Sequence, residues 1–168
     1  MDGIDDKTDR FSVSYKINNI SDFLKSLNFQ FYYSKVEHLM DNRYRQATYM
    51  RTYAENKTYG GRIEGNLGDL TLGFEAYKRN WDARTFIKAI GIEQNSIPDV
   101  DTTNFGVYGE YKKRLSENLR LVVGARLDTT KTEADSSKAN TTLYYQYKRT
   151  TSTSKTDTYP SGNIQLFY

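Results

Sequence analysis

The residues best suited to chemistry are His38 and Met40, a His-x-Met pair within His38-Leu39-Met40-Asp41-Asn42. His38 is the only histidine of the chain, and there is no cysteine. Copper accepts imidazole nitrogen and thioether sulfur, and thioether favours the softer Cu(I). In extended backbone, residues i and i+2 point to the same side, so the pair would present both donors together. Two donors hold a metal weakly, so a working site needs more. Met50 lies in the same long segment as an extra thioether, without a spacing argument. Asp41 is a candidate acceptor for the imidazole N–H. The competing reading is an ordinary loop histidine beside a methionine near a strand end.

No catalytic set emerges. A Ser–His–Asp triad would have to use His38, and nothing in the spacing of the nearest serine, Ser34, supports that geometry. Gly60-Gly61 is not followed by the Lys-Ser or Lys-Thr of a phosphate loop. Arg43, Arg45 and Arg51 would attract an anionic ligand or lipopolysaccharide phosphates, or simply form a solvated loop face. The expectation is a protein that is not an enzyme and requires no cofactor.

The elements that must carry these residues are strands. Leu27, Phe29, Phe31 and Tyr33 alternate with Asn28, Gln30, Tyr32 and Ser34. Leu70, Leu72, Phe74 and Ala76 repeat the rhythm, as do Leu119, Leu121, Val123, Ala125 and Leu127. A period of two marks strands with one apolar face. Seven such stretches are predicted, at about 10–18, 25–36, 57–66, 70–81, 103–113, 119–130 and 159–168. Short connections at about 18–22, 66–69 and 114–118 alternate with long ones at about 37–56, 82–102 and 131–158. The last long segment is read as holding an extra strand extension at 142–147. Tight turns at one rim and long loops at the other are the layout of an outer-membrane barrel. The predicted fold is all-β, an antiparallel up-and-down meander, a fragment of a transmembrane β-barrel. Residues 1–168 form one partial barrel domain.

Composition agrees. The 168 residues are 37% hydrophobic and 14% aromatic, with 15 Tyr and 2 Pro. Mean hydropathy is −0.79. Only every second barrel residue meets lipid, and polar loops dilute the average further. Tyr32, Tyr33, Tyr44, Tyr49, Tyr53, Tyr59 and Trp81 read as interface-girdle aromatics. Arg62, Glu64, Glu75, Glu110, Arg120, Arg126 and Asp128 fall on the polar phase, where Glu110 would pair with Arg120 or Arg126 across a wet lumen. No apolar run reaches the length of a transmembrane helix. The net charge of +3 is dispersed, which argues against a nucleic-acid partner. The acidic start, Met1-Asp2-Gly3-Ile4-Asp5-Asp6, is unlike a secretory leader, so an exported chain would be internal or processed. An odd strand number cannot close a bacterial single-chain barrel, so the chain reads as a slice of a larger one.

The stretch Thr103-Asn104-Phe105-Gly106-Val107-Tyr108-Gly109-Glu110-Tyr111, the turn Leu115-Ser116-Glu117-Asn118, then Leu119-Arg120-Leu121 and Val123-Gly124-Ala125-Arg126-Leu127-Asp128, resembles the barrel domain of TonB-dependent outer-membrane receptors. Pro160-Ser161-Gly162-Asn163 is similar too. Thr58-Tyr59-Gly60-Gly61-Arg62, Ile97-Pro98-Asp99-Val100 and the His38–Asn42 segment look like the copper-receptor branch of that family. The resemblance implies an outer-membrane location and a plug inside a barrel of roughly 22 strands, of which this chain would supply about a third. It implies outer-membrane lipids, TonB (through the plug) and a metal or metal chelate as partners. Copper would be transported cargo, held by His38 and Met40. The branch also carries a Cys-x-x-x-Met pair, which has no counterpart here and would lie in the plug. Iron chelates and cobalamin are alternative cargoes. The other functional classes are a small structural or adhesion barrel, which needs an eighth strand at 142–147, and a soluble β-sandwich binding module.

Overall fold

A strand with one apolar side must cover that side or turn it toward a medium as apolar as itself. In the computed structural model, which describes residues 2–44 and 49–168, the second solution holds. The strands are β1 (Asp2–Asn18), β2 (Ser26–Asp41), β3 (Met50–Leu67), β4 (Leu70–Ile87), β5 (Ile92–Arg114), β6 (Arg120–Ala134) and β7 (Ser154–Phe167). They form one antiparallel sheet in sequence order, and the sheet is not closed: β1 and β7 are its edges. Among the described residues nothing packs on the apolar side. Val13, Phe105, Val107 and Ile164 are 50%, 53%, 52% and 74% exposed, and the hydrophobic residues that are buried are Ala83 and Val122. A soluble sandwich would stack two apolar faces, so that reading fails.

The register shows where lipid belongs. The row Tyr15, Phe29, Ile63, Phe74, Val107, Leu127, Pro160 crosses all the strands on one face. The apolar set does not follow the hydrogen-bonded rows. Phe11 and Ile17 bound it on β1, and their rows reach Thr156 and Gly162 on β7. There the set runs from Pro160 to Leu166, four residues further on. With ordinary strand rise and spacing, this drift over six strand steps is a slope of about 25°. A hydrocarbon layer is flat, so strands that keep their apolar residues inside it lean against its normal. Tilted strands are a condition of barrel closure.

At one end the connections are tight. Gly68 takes φ +82° in the two-residue turn between β3 and β4, and its N–H donates to Asn66 Oδ1 at 3.2 Å. At the other end the expected long loops are mostly ladder. Pairing of β2 with β3 runs on to Asp41 and Arg51, and that of β4 with β5 to Ile87 and Ile92. Above the apolar band most residues on both faces are polar, so the ladder can continue beyond the lipid. β5 bends where Pro98, which lacks an N–H, and Asp99, at φ +52°, interrupt the register opposite Trp81 and Ala83.

Residues 142–147 are not a strand. Thr141–Lys148 form a helix, α1, capped by Asn140, whose Oδ1 accepts from Leu143 N at 3.1 Å, and ended by Arg149 at φ +55°. The expected strand extension fails because the local Asn cap decides the backbone. There is thus no eighth strand among the described residues, and the small closed barrel fails with it.

Candidate functional site on the inner wall and its rim

The polar phase of the strands lies on the face opposite the apolar band, the inner face of a barrel wall, and carries ordered charge. Arg126 on β6 is the hub. Its Nε lies 2.6 Å from Asp128 Oδ2, and its Nη2 lies 2.7 Å from Asp128 Oδ1 and 3.0 Å from Glu75 Oε2 on β4. Gly106 makes the reach possible: it separates Glu75 from Asp128 in their row, and a Cβ there would stand 2.5 Å from Arg126 Nη2. Tyr108 donates its hydroxyl to Glu64 Oε2 at 2.8 Å, across the space left by Gly73. Gly73 and Gly106 therefore seat large polar side chains of neighbouring strands. The expected partners of Glu110 are corrected: it pairs with Lys112 at 2.7 Å, while Arg120 lies over the Phe167 ring at 4.7 Å. Register explains this, since Glu110 faces Gly124 and Arg120 faces Arg114.

The expected aromatic girdle is also narrower. Tyr33 and Tyr59 face each other at the upper edge of the apolar band, beside Phe11. Tyr32 and Trp81 lie on the inner phase, and Tyr53 stands above the band, where its hydroxyl donates to Glu37 Oε1 at 2.6 Å. Parity along a strand is exact, so one residue's difference changes the medium.

His38 and Met40 lie on the inner phase of β2 at the rim with the longer connections. Small residues flank them: Ala54 faces His38, and Gly3 and Thr52 face Met40. His38 is exposed, and its Nδ1 lies 2.6 Å from Asp6 Oδ1 on β1. Asp41 is not the imidazole partner expected from sequence. It sits on the opposite phase, almost fully buried, bonded to Arg43 Nε and accepting from Tyr49 O–H at 3.3 Å. Asp6 is 32 positions from His38, so only strand pairing reveals it. Met50 opens β3 on the same inner phase. Arg43 is thus neutralised by Asp41, Arg51 faces Asp41 and Phe86, and Arg45 lies outside the described residues. Among the described residues no three His, Asp or Glu side chains gather to hold a metal.

Outside the membrane level, the segment 135–153 is anchored to the β5 bend. Lys138 Nζ reaches Asp99 Oδ2 at 2.8 Å, Asn80 donates to Asp99 Oδ1 at 2.6 Å, and Asp135 N donates to the carbonyls of Pro98 and Asp99 at 3.1 Å each. The Lys138 ammonium, then the Asn80 amide, hold the Asp99 carboxyl below its ordinary range. A lowered folded value contributes stability above the unfolded pKa of about 3.9, lost as pH falls through the folded value. Protection factors of the 135–153 amides, that is exchange corrected for its intrinsic pH dependence, are therefore expected to be flat from pH 8 to 5 and to fall only below about pH 4. Asp99→Asn should lower protection between pH 5 and 8, with the difference shrinking below about pH 4; equal protection at neutral pH in that variant would refute the anchor.

An open, tilted sheet with one apolar face and one charged face defines a piece of an outer-membrane barrel wall. A family model, TonB dependent receptor-like, beta-barrel, matches residues 1–168. The chain belongs to that family, whose members are outer-membrane transporters and not enzymes. Among solved structures, it is similar to the copper transporter OprC, with TM-score 0.74 and 23% identity over 99% of this chain and 28% of that one. It is also similar to the ferric citrate transporter FecA in its unliganded form, with TM-score 0.64 and 11% identity over 96% of this chain and 24% of that one. These likenesses speak for the fold. The chain spans about a quarter of the length of either structure. No curated protein sequence matches it.

Proposed function

We propose that this chain is part of the wall of a TonB-dependent importer of a metal ion or metal chelate, with copper as cargo. In this reading residues 1–168 are one barrel piece. Further strands pair with β1 and β7, whose free edges and apolar outer face are otherwise an aggregation hazard. A plug in the lumen couples the receptor to TonB. The wall needs no resident cofactor and performs no reaction. Its inner charges face the plug and the passing cargo.

The observation that carries copper is the placement of His38 Nε2 and Met40 Sδ on one lumen-facing rim, between small neighbours, with the other ring nitrogen engaged by Asp6. Likeness to the fold of a copper transporter supports the same cargo. The second cargo, a ferric chelate, draws on the likeness to a ferric citrate transporter. Copper titration of the full receptor separates them. His38→Ala and Met40→Ala should each weaken copper binding about tenfold or more, the scale on which single metal-site contacts act. Wild-type affinity in both variants would remove copper and leave a chelate importer.

A further inference from the structure

We propose that the lipid-facing side of β3 and β4 carries a docking site for lipid A, the phosphorylated anchor of lipopolysaccharide. One acyl chain lies over Gly61 and Ala76, and a phosphate sits between Lys57 and Lys78. This goes beyond the cargo reading and rests only on the membrane wall.

The register builds the groove. Gly61 faces Phe31 on β2 and Ala76 on β4, and Ala76 in turn faces Phe105 on β5. Two small neighbours thus interrupt a band of rings. Phe29, Ile63 and Phe74 close the depression one row below, and the cavity measures about 420 Å³. Hydrocarbon holds no water to be expelled, so an acyl chain is held here by packing alone. A furrow with aromatic walls gives a chain contacts on several sides, where a flat face gives them on one.

The charged end follows just above, toward the longer connections, which face outward in such barrels. Lys78 faces Tyr59 and Lys57 faces Asn80, so the two lysines are diagonal neighbours across β3 and β4, about 7–8 Å apart. Lysine stems span that gap, and one phosphate can accept an N–H from each. Lys57 pairs with Glu55 Oε1 at 2.6 Å and Lys78 with Asp101 Oδ2 at 2.8 Å, and their side chains stay 44% and 40% exposed. An ammonium has three donors, so each keeps others for a ligand. On β3 and β4 the carboxylates come later: Glu55 and Asp82 share the next row out. The layer next to the apolar band is therefore cationic there, at the level where the phosphates of the outward leaflet lie. Lys35, which faces Lys57, adds to it while held by Glu37 and Glu55 at 2.9 and 3.2 Å.

The full receptor, purified in detergent, is incubated with lipid A, with the same lipid stripped of phosphate, and with phosphatidylglycerol. Native mass spectrometry counts the lipid retained. Lipid A should be retained above the other two. Lys57→Gln combined with Lys78→Gln should lower its retention about 25-fold, about fivefold for each lysine at an anionic lipid surface. The fold is spared, because Glu55 keeps Lys35 and Asp101 keeps Asn80 Nδ2 at 2.9 Å. Lys57→Arg with Lys78→Arg should retain the lipid. Ala76→Phe fills the floor of the groove and leaves the lysines in place. It should lower retention about threefold, the worth of several lost carbon contacts. Equal retention of dephosphorylated lipid overturns the phosphate site, and equal retention of phosphatidylglycerol overturns lipid A as the occupant. Wild-type retention in the double glutamine variant overturns the lysine pair, and in Ala76→Phe it overturns the acyl groove.

Discussion

Phe74→Arg should destabilise the receptor by about 2–4 kcal/mol, the cost of a cation near the bilayer midplane on a barrel's lipid face. Phe74 stands in the middle of the apolar row, between Ile63 and Val107, stacked near Phe105 at 6.5 Å between ring centres. Ser14→Arg is the matched control. Ser14 faces Gln30 on the wet side and should change stability by no more than about 0.5 kcal/mol. Urea unfolding of the full receptor in lipid vesicles reads both. If the two variants unfold alike, the assignment of lipid and lumen faces is wrong, and the membrane wall with it.

Gly60→Ala is expected to cost about 1–3 kcal/mol through overpacking. A methyl group there would stand 2.6 Å from Tyr77 Cβ, 2.7 Å from the Ala76 carbonyl oxygen and 2.7 Å from the Tyr32 hydroxyl. Tyr32 and Tyr77 flank Gly60 in one row of the inner face. The tyrosine hydroxyl can swing away, but the neighbouring backbone cannot, so the strands must part. Gly65→Ala provides the contrast. Its nearest atom would be Leu24 Cδ1 at 3.4 Å, and its backbone is not left-handed. That change should be neutral or gain about 0.4–1 kcal/mol by stiffening the unfolded chain. Thermal or urea midpoints of the two variants in the full receptor decide the matter. Equal midpoints would show that the inner wall relaxes freely around Gly60.

Local pattern made much of the wall legible. Alternation at Leu27–Ser34 and Leu70–Ala76 marks both strand identity and face, because side chains in extended backbone must alternate whatever they pack against. The turn at Gly68-Asp69 was equally readable, because its positive φ calls for glycine. The strand ends toward the far rim were not. Pairing there continues through mixed text such as Asp82–Ile87, where no alternating apolar phase announces a strand. Helix α1 was not legible, because Tyr favours strands on average whereas one capping side chain, Asn140, governs the segment.

The candidate site divides along the same line. His38 and Met40 were visible as a pair because two residues of one strand share a face by covalent geometry alone. Asp6 became a neighbour of His38 only through the β1–β2 register. Likewise, sequence determined that Arg126 and Glu75 belong to the polar phase, but not that they meet across Gly106. Alternation is a property of each strand taken singly. Partnership depends on how strands slide against one another, and that is decided only when turns, bulges and the flat lipid layer act on all of them together.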